Sequence, residues 1–264
     1  MVINEYLENY YSSRDENNRL ISKHGQIEFI TTMHYIDKYL SKGNKIIEIG
    51  AGTGIYSIAL ANKGFSIDSV ELIQHNIDIF KKNMDSKNHI HIYKGDARNL
   101  DFIEDNKYDI TLLLGPMYHL YTIQDQKQAI AEAFRITKNK GIIFIAYCIA
   151  DSTIIQYGFM QNNIKTIIQK GILEKDTYKA FSTEEDLFQL HRREDIDYLN
   201  SFFKVFRLHY VATDLFTRYM DGTINNMDEE EYKIYIDYHL KMCERYDLVG
   251  LTNHSLDILK KYEN

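Results

Sequence analysis

The chain has 264 residues and sets 31 Lys+Arg against 38 Asp+Glu, for a formal net charge of −7. With 44% hydrophobic and 26% charged residues it has the composition of a globular protein, which excludes a mostly disordered chain. Its acidic balance argues against a nucleic-acid binder, which presents a basic field. No basic-plus-apolar leader opens the sequence, and its longest apolar run, Gly141 to Ala150, is about half of what a bilayer span needs. A cytoplasmic location with no membrane partner is expected. Cys148 and Cys243 show no metal or redox spacing and read as buried, reduced thiols.

The first two dozen residues are polar, and 1–25 are expected to form a cap segment across the ligand edge of the fold. Phe29, Met33, Ile36 and Leu40 recur at helical spacing between Gln26 and Leu40. Two periods then alternate. Residues 45–50 read as a buried strand, and 55–63 as a helix with Ile55, Ile58, Ala59 and Ala61 inward and Gly64 as its C-terminal cap. Residues 65–71 form a second strand, and Ile73 to Met84 a helix with Ile73, Ile77, Phe80 and Met84 on one face. Strands follow at 89–94 and 108–115, then a helix at 125–139 and a strand opened by Gly141. Strands alternating with helices of this length imply a parallel sheet covered on both faces.

After Ala150 the pattern changes. Residues 152–200 look helical and irregular, and 203–213 alternate like a strand. In that strand Val205, Arg207, His209 and Val211 are expected on one face, with Phe206, Leu208 and Tyr210 on the other. Residues 228–246 read as a helix with Asp228 as N-cap, and 251–260 as a last strand. Without a repeat or a Pro/Gly linker, 1–264 reads as one domain: a core over 26–150, then insertions and the last two strands over 151–264.

Residues Glu48-Ile49-Gly50-Ala51-Gly52-Thr53-Gly54 follow a strand and open a helix. Glycines there let backbone approach a ligand closely, and the helix start offers free N–H groups. Glu71 closes the next strand, where a carboxylate can accept from both ribose hydroxyls. Together they indicate an adenosine-containing cofactor. A dinucleotide fingerprint would need its third glycine at position 55, but Ile55 stands there and the pattern is G-x-G-x-G.

That pattern resembles motif I of the class I S-adenosylmethionine-dependent methyltransferases. Gly95-Asp96-Ala97 resembles the family's adenine-reading acidic motif. Leu112-Leu113-Leu114-Gly115-Pro116-Met117-Tyr118-His119-Leu120 resembles the fourth-strand motif of a small-molecule subgroup related to the quinone-biosynthesis enzymes. Lys138-Asn139-Lys140-Gly141 stands where many members turn before the fifth strand. The resemblance, over roughly residues 26–148, implies an α/β, Rossmann-like, seven-stranded and mostly parallel sheet. Helical insertions after the fifth and sixth strands would form a lid. It implies that Gly50, Ala51, Gly52, Thr53 and Gly54 wrap the methionine part, with the Gly50 and Leu114 backbones accepting from its ammonium. Glu48 would support the loop, Glu71 hold the ribose, Leu72 pack on adenine, and Asp96 and Ala97 read the adenine edge. Tyr11, in the N-terminal segment with Tyr10, Arg14 and His24, would close over the cofactor.

Methyl transfer needs alignment and water exclusion, and a base only where the acceptor is protonated. Tyr118 and His119 follow the fourth strand and are the catalytic candidates, His119 as a base. Tyr147, His209 and Arg218 are candidate acceptor-binding residues. His89 and His91 share a strand face without a third ligand, so no metal is expected. The expected activity is methyl transfer from S-adenosylmethionine to a small-molecule acceptor, leaving S-adenosylhomocysteine, by a monomer or homodimer without nucleic acid. An RNA or protein methyltransferase and a non-catalytic S-adenosylmethionine-binding protein are the alternatives. The sequence has Gly115-Pro116-Met117-Tyr118 where base-modifying enzymes carry [DNS]-P-P-[YF].

Overall fold

A sheet whose inner strands are rich in Ile and Leu builds the centre of the molecule. The computed structural model describes residues 2–13 and 22–262. The strands are β1 (Ile46–Ile49), β2 (Ile67–Glu71), β3 (Ile90–Lys94), β4 (Tyr108–Leu113), β5 (Thr137–Ile149), β6 (Leu190–His191), β7 (Val205–Ala212) and β8 (His254–Lys261). They lie in the order β3-β2-β1-β4-β5-β8-β7. The first five pair in parallel, whereas β8 runs antiparallel to both β5 and β7. This is the expected seven-stranded sheet plus one strand more: the two-residue β6 pairs with the far end of β5.

Helices α1 (Val2–Ser12), α2 (Lys23–Asp37), α3 (Ile55–Asn62), α4 (Gln74–Asn83) and α5 (Ile123–Ile136) belong to the first half. The short helices α6 (Ala150–Thr153), α7 (Ile164–Gln169) and α8 (Arg193–Asn200) follow β5, and α9 (Asp221–Asn226) and α10 (Glu229–Met242) follow β7. One face of the sheet buries Ala129, Ile130 and Ala133 of α5 with Ile196 and Leu199 of α8. The other buries Met33, Tyr35 and Ile36 of α2 with Leu60 and Ala61 of α3.

Several expectations shift. Helix α2 starts before Gln26 because the Ser22 hydroxyl caps it by accepting from Gly25 N at 3.2 Å. Helix α3 buries Ser57, Leu60 and Ala61, so of the expected inward set only Ala61 points in fully. Helix α5 ends at Ile136, and β5 begins ahead of Gly141. Thr137 pairs with Tyr108 and the ladder resumes only at Ile142 opposite Ile110, with Lys138 to Gly141 looped out between. The Asp228 cap is as expected, its carboxylate accepting from Glu230 N and Glu231 N, but the helix stops at Met242.

The largest correction is in β7. Arg207 lies opposite Leu259 and His209 opposite Ile258, so Leu208 is an extra, bulged residue. A bulge reverses which face later residues meet. Arg207 and Tyr210 therefore share a face, with the guanidinium 5.2 Å from the ring centre, and His209 and Val211 lie on the other.

Candidate active site

The loop between β1 and α3 is pinned from below. Gly50 N and Ala51 N both donate to the Val70 carbonyl, at 2.8 and 3.1 Å. Gly54 is the N-cap of α3 with φ 86°, and a Cβ there would lie 2.1 Å from the Phe80 ring. Gly52 has φ 55°, and a Cβ on it would meet no protein atom within 4 Å. It faces open cleft. Glu71 ties the loop to the end of β2: its Oε2 accepts from Gly52 N at 2.7 Å, and its Oε1 from Ile73 N at 2.9 Å and Asn76 Nδ2 at 3.2 Å. Burial pushes its carboxyl up, against the pull of these donors.

Two joined cavities flank Gly50 and Gly52. One, of about 110 Å³, is bordered by Glu71, Leu72, Asp96 and Ala97. The other, of about 120 Å³, is bordered by Glu48, Ala51, Thr53, Leu114 and Tyr118. Tyr11 of α1 closes both. The residues expected to hold the cofactor thus converge on one cleft, except that Gly54 sits behind it against Phe80 and borders neither cavity. Glu48 is completely buried and acts at one remove. Its carboxylate accepts from the Ser57 hydroxyl in the first turn of α3, not from the loop. Burial raises its pKa to about 8, with the Ser57 hydrogen bonds opposing. The Asp96 carboxylate is largely engaged by Arg98, whose Nη2 donates at 2.6 Å while its Nη1 reaches Asp125 at 3.0 Å. Burial pushes Asp96 up, but the Arg98 hydrogen bonds and charge outweigh it and hold it low. Asn76, Arg98 and Asp125 also border the cleft and were not foreseen. The Asn76 amide on an otherwise apolar α4 face was the available signal.

His119 borders the cleft, and both of its ring nitrogens are engaged. Its Nδ1 lies 2.7 Å from the Leu187 carbonyl, which can only accept, so Nδ1 carries the proton. The other ring nitrogen, 2.8 Å from the Tyr11 hydroxyl, accepts from it. Burial lowers the ring's pKa to about 4. The neutral ring thus joins α1, through the Tyr11 hydroxyl, to the Leu187 carbonyl. Tyr118 is better placed, since it borders both the cleft and a third cavity of about 320 Å³.

Arg218 borders that third cavity with Tyr10, Cys148, Phe188 and His254. Tyr147 does not. It is 0% exposed, packs edge-on against His191 at 5.0 Å, and borders neither the cleft nor the third cavity. Its neighbours Ala146 and Cys148 take the cavity positions instead. His209 lies outside the site, with Nδ1 2.8 Å from Glu244 and its ring against Tyr35 and Tyr39. Arg14 falls outside the described residues. Among the described residues, potential metal ligands gather at Glu28, Asp214 and His254, within 4.8 Å of one another. There His254 Nδ1 lies 3.0 Å from Asp214 Oδ2 and 3.5 Å from Glu28 Oε2. Burial alone would lower His254, but the two carboxylates raise it to about 10, and the cluster is an ion network.

These groups set a pH profile. Burial lowers His119, His191 and His239 to about 4 from 6.5. The unfolded chain then binds more protons below pH 6.5, so stability is lost as pH falls towards 4. Glu48 and His254 are raised to about 8 and about 10, so their contribution is lost as pH rises through those values. Urea midpoints are expected to peak near pH 6.5 and fall on both sides. A midpoint that still climbs towards pH 9 would contradict this protonation pattern.

A glycine loop leading into a helix, a carboxylate one strand over and an adenine-side acid define a binding fold for an adenosine-type cofactor. Residues 46–141 match the methyltransferase domain family. A glycine/sarcosine N-methyltransferase of Aphanothece halophytica is 24% identical over 66% of this chain and 60% of its own length. A demethylmenaquinone methyltransferase of Staphylococcus haemolyticus is 29% identical over 40% and 44%. The chain thus spans about half the length of these two relatives. A Thermotoga maritima structure described as an S-adenosylmethionine-dependent methyltransferase and possible histamine N-methyltransferase superposes with a TM-score of 0.57 at 16% identity, over 97% of this chain and 99% of that one. Haemonchus contortus phosphoethanolamine N-methyltransferase 1, solved with phosphoethanolamine and S-adenosylhomocysteine, gives 0.61 at 14%, over 100% and 49%. At these identities the structures establish the shared fold. Among the described residues no helix is long and apolar enough to cross a membrane.

Proposed function

We propose that this protein transfers a methyl group from S-adenosylmethionine to a small-molecule acceptor by in-line displacement. The reading is carried by the continuity of the cavities. The two-part cleft meets the 320 Å³ cavity at Tyr11 and Tyr118, and that cavity is walled by α1 and the segments after β5 and β7. Such an enclosure suits a small acceptor, whereas an RNA or a folded protein needs an open face. The relatives act, by name, on glycine and sarcosine or on demethylmenaquinone, which are small molecules too.

The cleft fits the cofactor: the Gly52 position leaves room where a side chain would fill it, and Glu71 edges the wider part. When bound, the cofactor supplies an activated methyl group and a neutral thioether leaving group. Glu71 would orient the ribose, Leu72 would pack on the adenine, Asp96 and Ala97 would read its edge, and the Gly50 and Leu114 carbonyls would receive the ammonium. Tyr118 would border the methyl path. The Tyr11–His119 hydrogen bond would hold α1 down and keep water out. One domain with its acceptor specificity in residues 151–264, working in the cytoplasm with both thiols reduced, completes the reading.

Thermal melting with S-adenosylmethionine, S-adenosylhomocysteine or NAD tests it. Either sulfur ligand at about 100 times its Kd should add roughly 2.7 kcal/mol, and NAD nothing. No shift with either would reject the cofactor. Binding without transfer to any acceptor in a broad panel would favour a non-catalytic binding protein. Salt-sensitive micromolar RNA binding would favour the RNA reading. Glu71→Gln should weaken S-adenosylhomocysteine by about 10- to 100-fold in calorimetry, the worth of one charge-assisted hydrogen bond or two. Unchanged affinity would displace the ribose from Glu71.

A further inference from the structure

Six of the seven arginines among the described residues are paired with a carboxylate. Arg98, Arg135, Arg192, Arg193, Arg207 and Arg245 each hold a carboxylate at between 2.5 and 3.1 Å. Arg218 is the exception among the described residues. It forms no ion pair and no hydrogen bond, although it borders the 320 Å³ cavity beside the cofactor cleft. The Asp214 carboxylate behind it feels the Arg218 charge, but its hydrogen bonds go to His254, Thr252 and the backbone of Asn253. Arg218 is also held in place by its neighbours. Thr217 is buried and its hydroxyl lies 3.0 Å from the Tyr235 hydroxyl, while the Tyr219 hydroxyl donates to Ser152 Oγ at 3.0 Å. A guanidinium left unpaired on an anchored turn, facing a cavity, is a preformed receptor for anionic oxygens.

The cavity does not end there. Past Tyr10, Thr153, Phe188 and Leu190 it continues into a chamber of about 610 Å³ between α1 and the segment after β5. Ile154, Ile167, Ile172, Leu173 and Leu187 line most of this chamber, with Lys170, Glu185 and Asp186 also on its border. A volume of this size takes a drug-sized body, and an apolar lining binds apolar surface.

We propose that the methyl acceptor is a small amphipathic acid: its anionic oxygens sit on Arg218, close to the methylated atom beside Tyr118, and its apolar body fills the chamber beyond Phe188. The inference rests on the methyltransferase reading and gives its acceptor a chemical class. It also separates this site from one built for an acceptor as small as glycine, which would leave the chamber empty.

Calorimetry on the protein saturated with S-adenosylhomocysteine tests it with phenylacetate, its neutral isostere phenylacetamide, and acetate. Phenylacetate should bind about tenfold or more tighter than phenylacetamide, and acetate weaker than both. Arg218→Met should erase the preference for the acid while leaving the amide's affinity in place. Ala180→Phe, which fills the chamber, should weaken phenylacetate and phenylacetamide alike. The S-adenosylhomocysteine affinity of each variant, unchanged from the parent, reports that it is folded. Equal binding of acid and amide, a preference that survives Arg218→Met, or no binding of either aryl probe would overturn the proposal. If S-adenosylhomocysteine itself fails to bind the parent protein, the methyltransferase reading falls. The same acid–amide pair, titrated without it, then still decides whether Arg218 is an anion site.

Discussion

Gly54→Ala should destabilise the protein by about 2–5 kcal/mol, the sum of a left-handed backbone forced on a side chain and an overpacked contact. The contact is specific: the added carbon would lie 2.1 Å from the ring of Phe80, which is fully buried and has nowhere to go. Gly52→Ala is the informative comparison. It also has a positive φ, of 55°, but no protein atom near the added carbon. Its stability cost should be about 1 kcal/mol, yet S-adenosylhomocysteine binding should fall steeply because the methyl group would stand in the cleft. Urea denaturation and calorimetry on both variants separate the roles. Equal stability losses, or full binding by Gly52→Ala, would mean that the loop relaxes around either change.

Arg207→Leu should cost about 3–5 kcal/mol, because it strands a buried carboxylate. Asp257 is 0% exposed and takes hydrogen bonds from Arg207 Nε at 2.6 Å, Arg207 Nη2 at 2.8 Å and Asn200 Nδ2 at 2.6 Å. Replacing both partners, Arg207→Leu with Asp257→Leu, should recover more than half of the loss, since no uncompensated charge then remains. Urea midpoints of the two single variants and the double variant give the coupling. Additive losses would show that the ion pair is screened and that Asp257 reaches water.

The cofactor half of the site was legible because its signals are local. Glycines at fixed offsets, an acid ending a strand and the Gly95-Asp96-Ala97 turn each follow from a backbone requirement within a few residues. The acceptor half depends on which way a side chain points, and two features hid that. From Gly141 to Ile149, strand β5 is buried on both sides, so no alternation marks the face of Tyr147, and Ala146 and Cys148 took the cavity positions. In β7 a single extra residue, Leu208, turned His209 away from the face of Arg207. His119 was placed correctly after β4, but its role depends on Tyr11 and Leu187, 108 and 68 positions away. Glu28 and its partners Asp214 and His254 are likewise far apart in sequence. A carboxylate amid the buried stripe of α2 was the only hint of them.

The small strand β6 has a consequence for how the walls of the enclosure are attached. Cys148 pairs with Leu190 and Ile149 with His191, while α6 continues directly from the end of β5. Both ends of the segment over the acceptor chamber are therefore stitched to the central strand by main-chain bonds. The contacts described for α1 are made by side chains: Leu7 buried in the cleft wall, Tyr10 against Phe188, and Tyr11 on His119. Lifting the stitched side would break a sheet ladder, whereas the contacts described for the N-terminal helix are between side chains. Among the described contacts the N-terminal helix is thus the more weakly attached wall of the cavities, and Tyr11 borders all three of them.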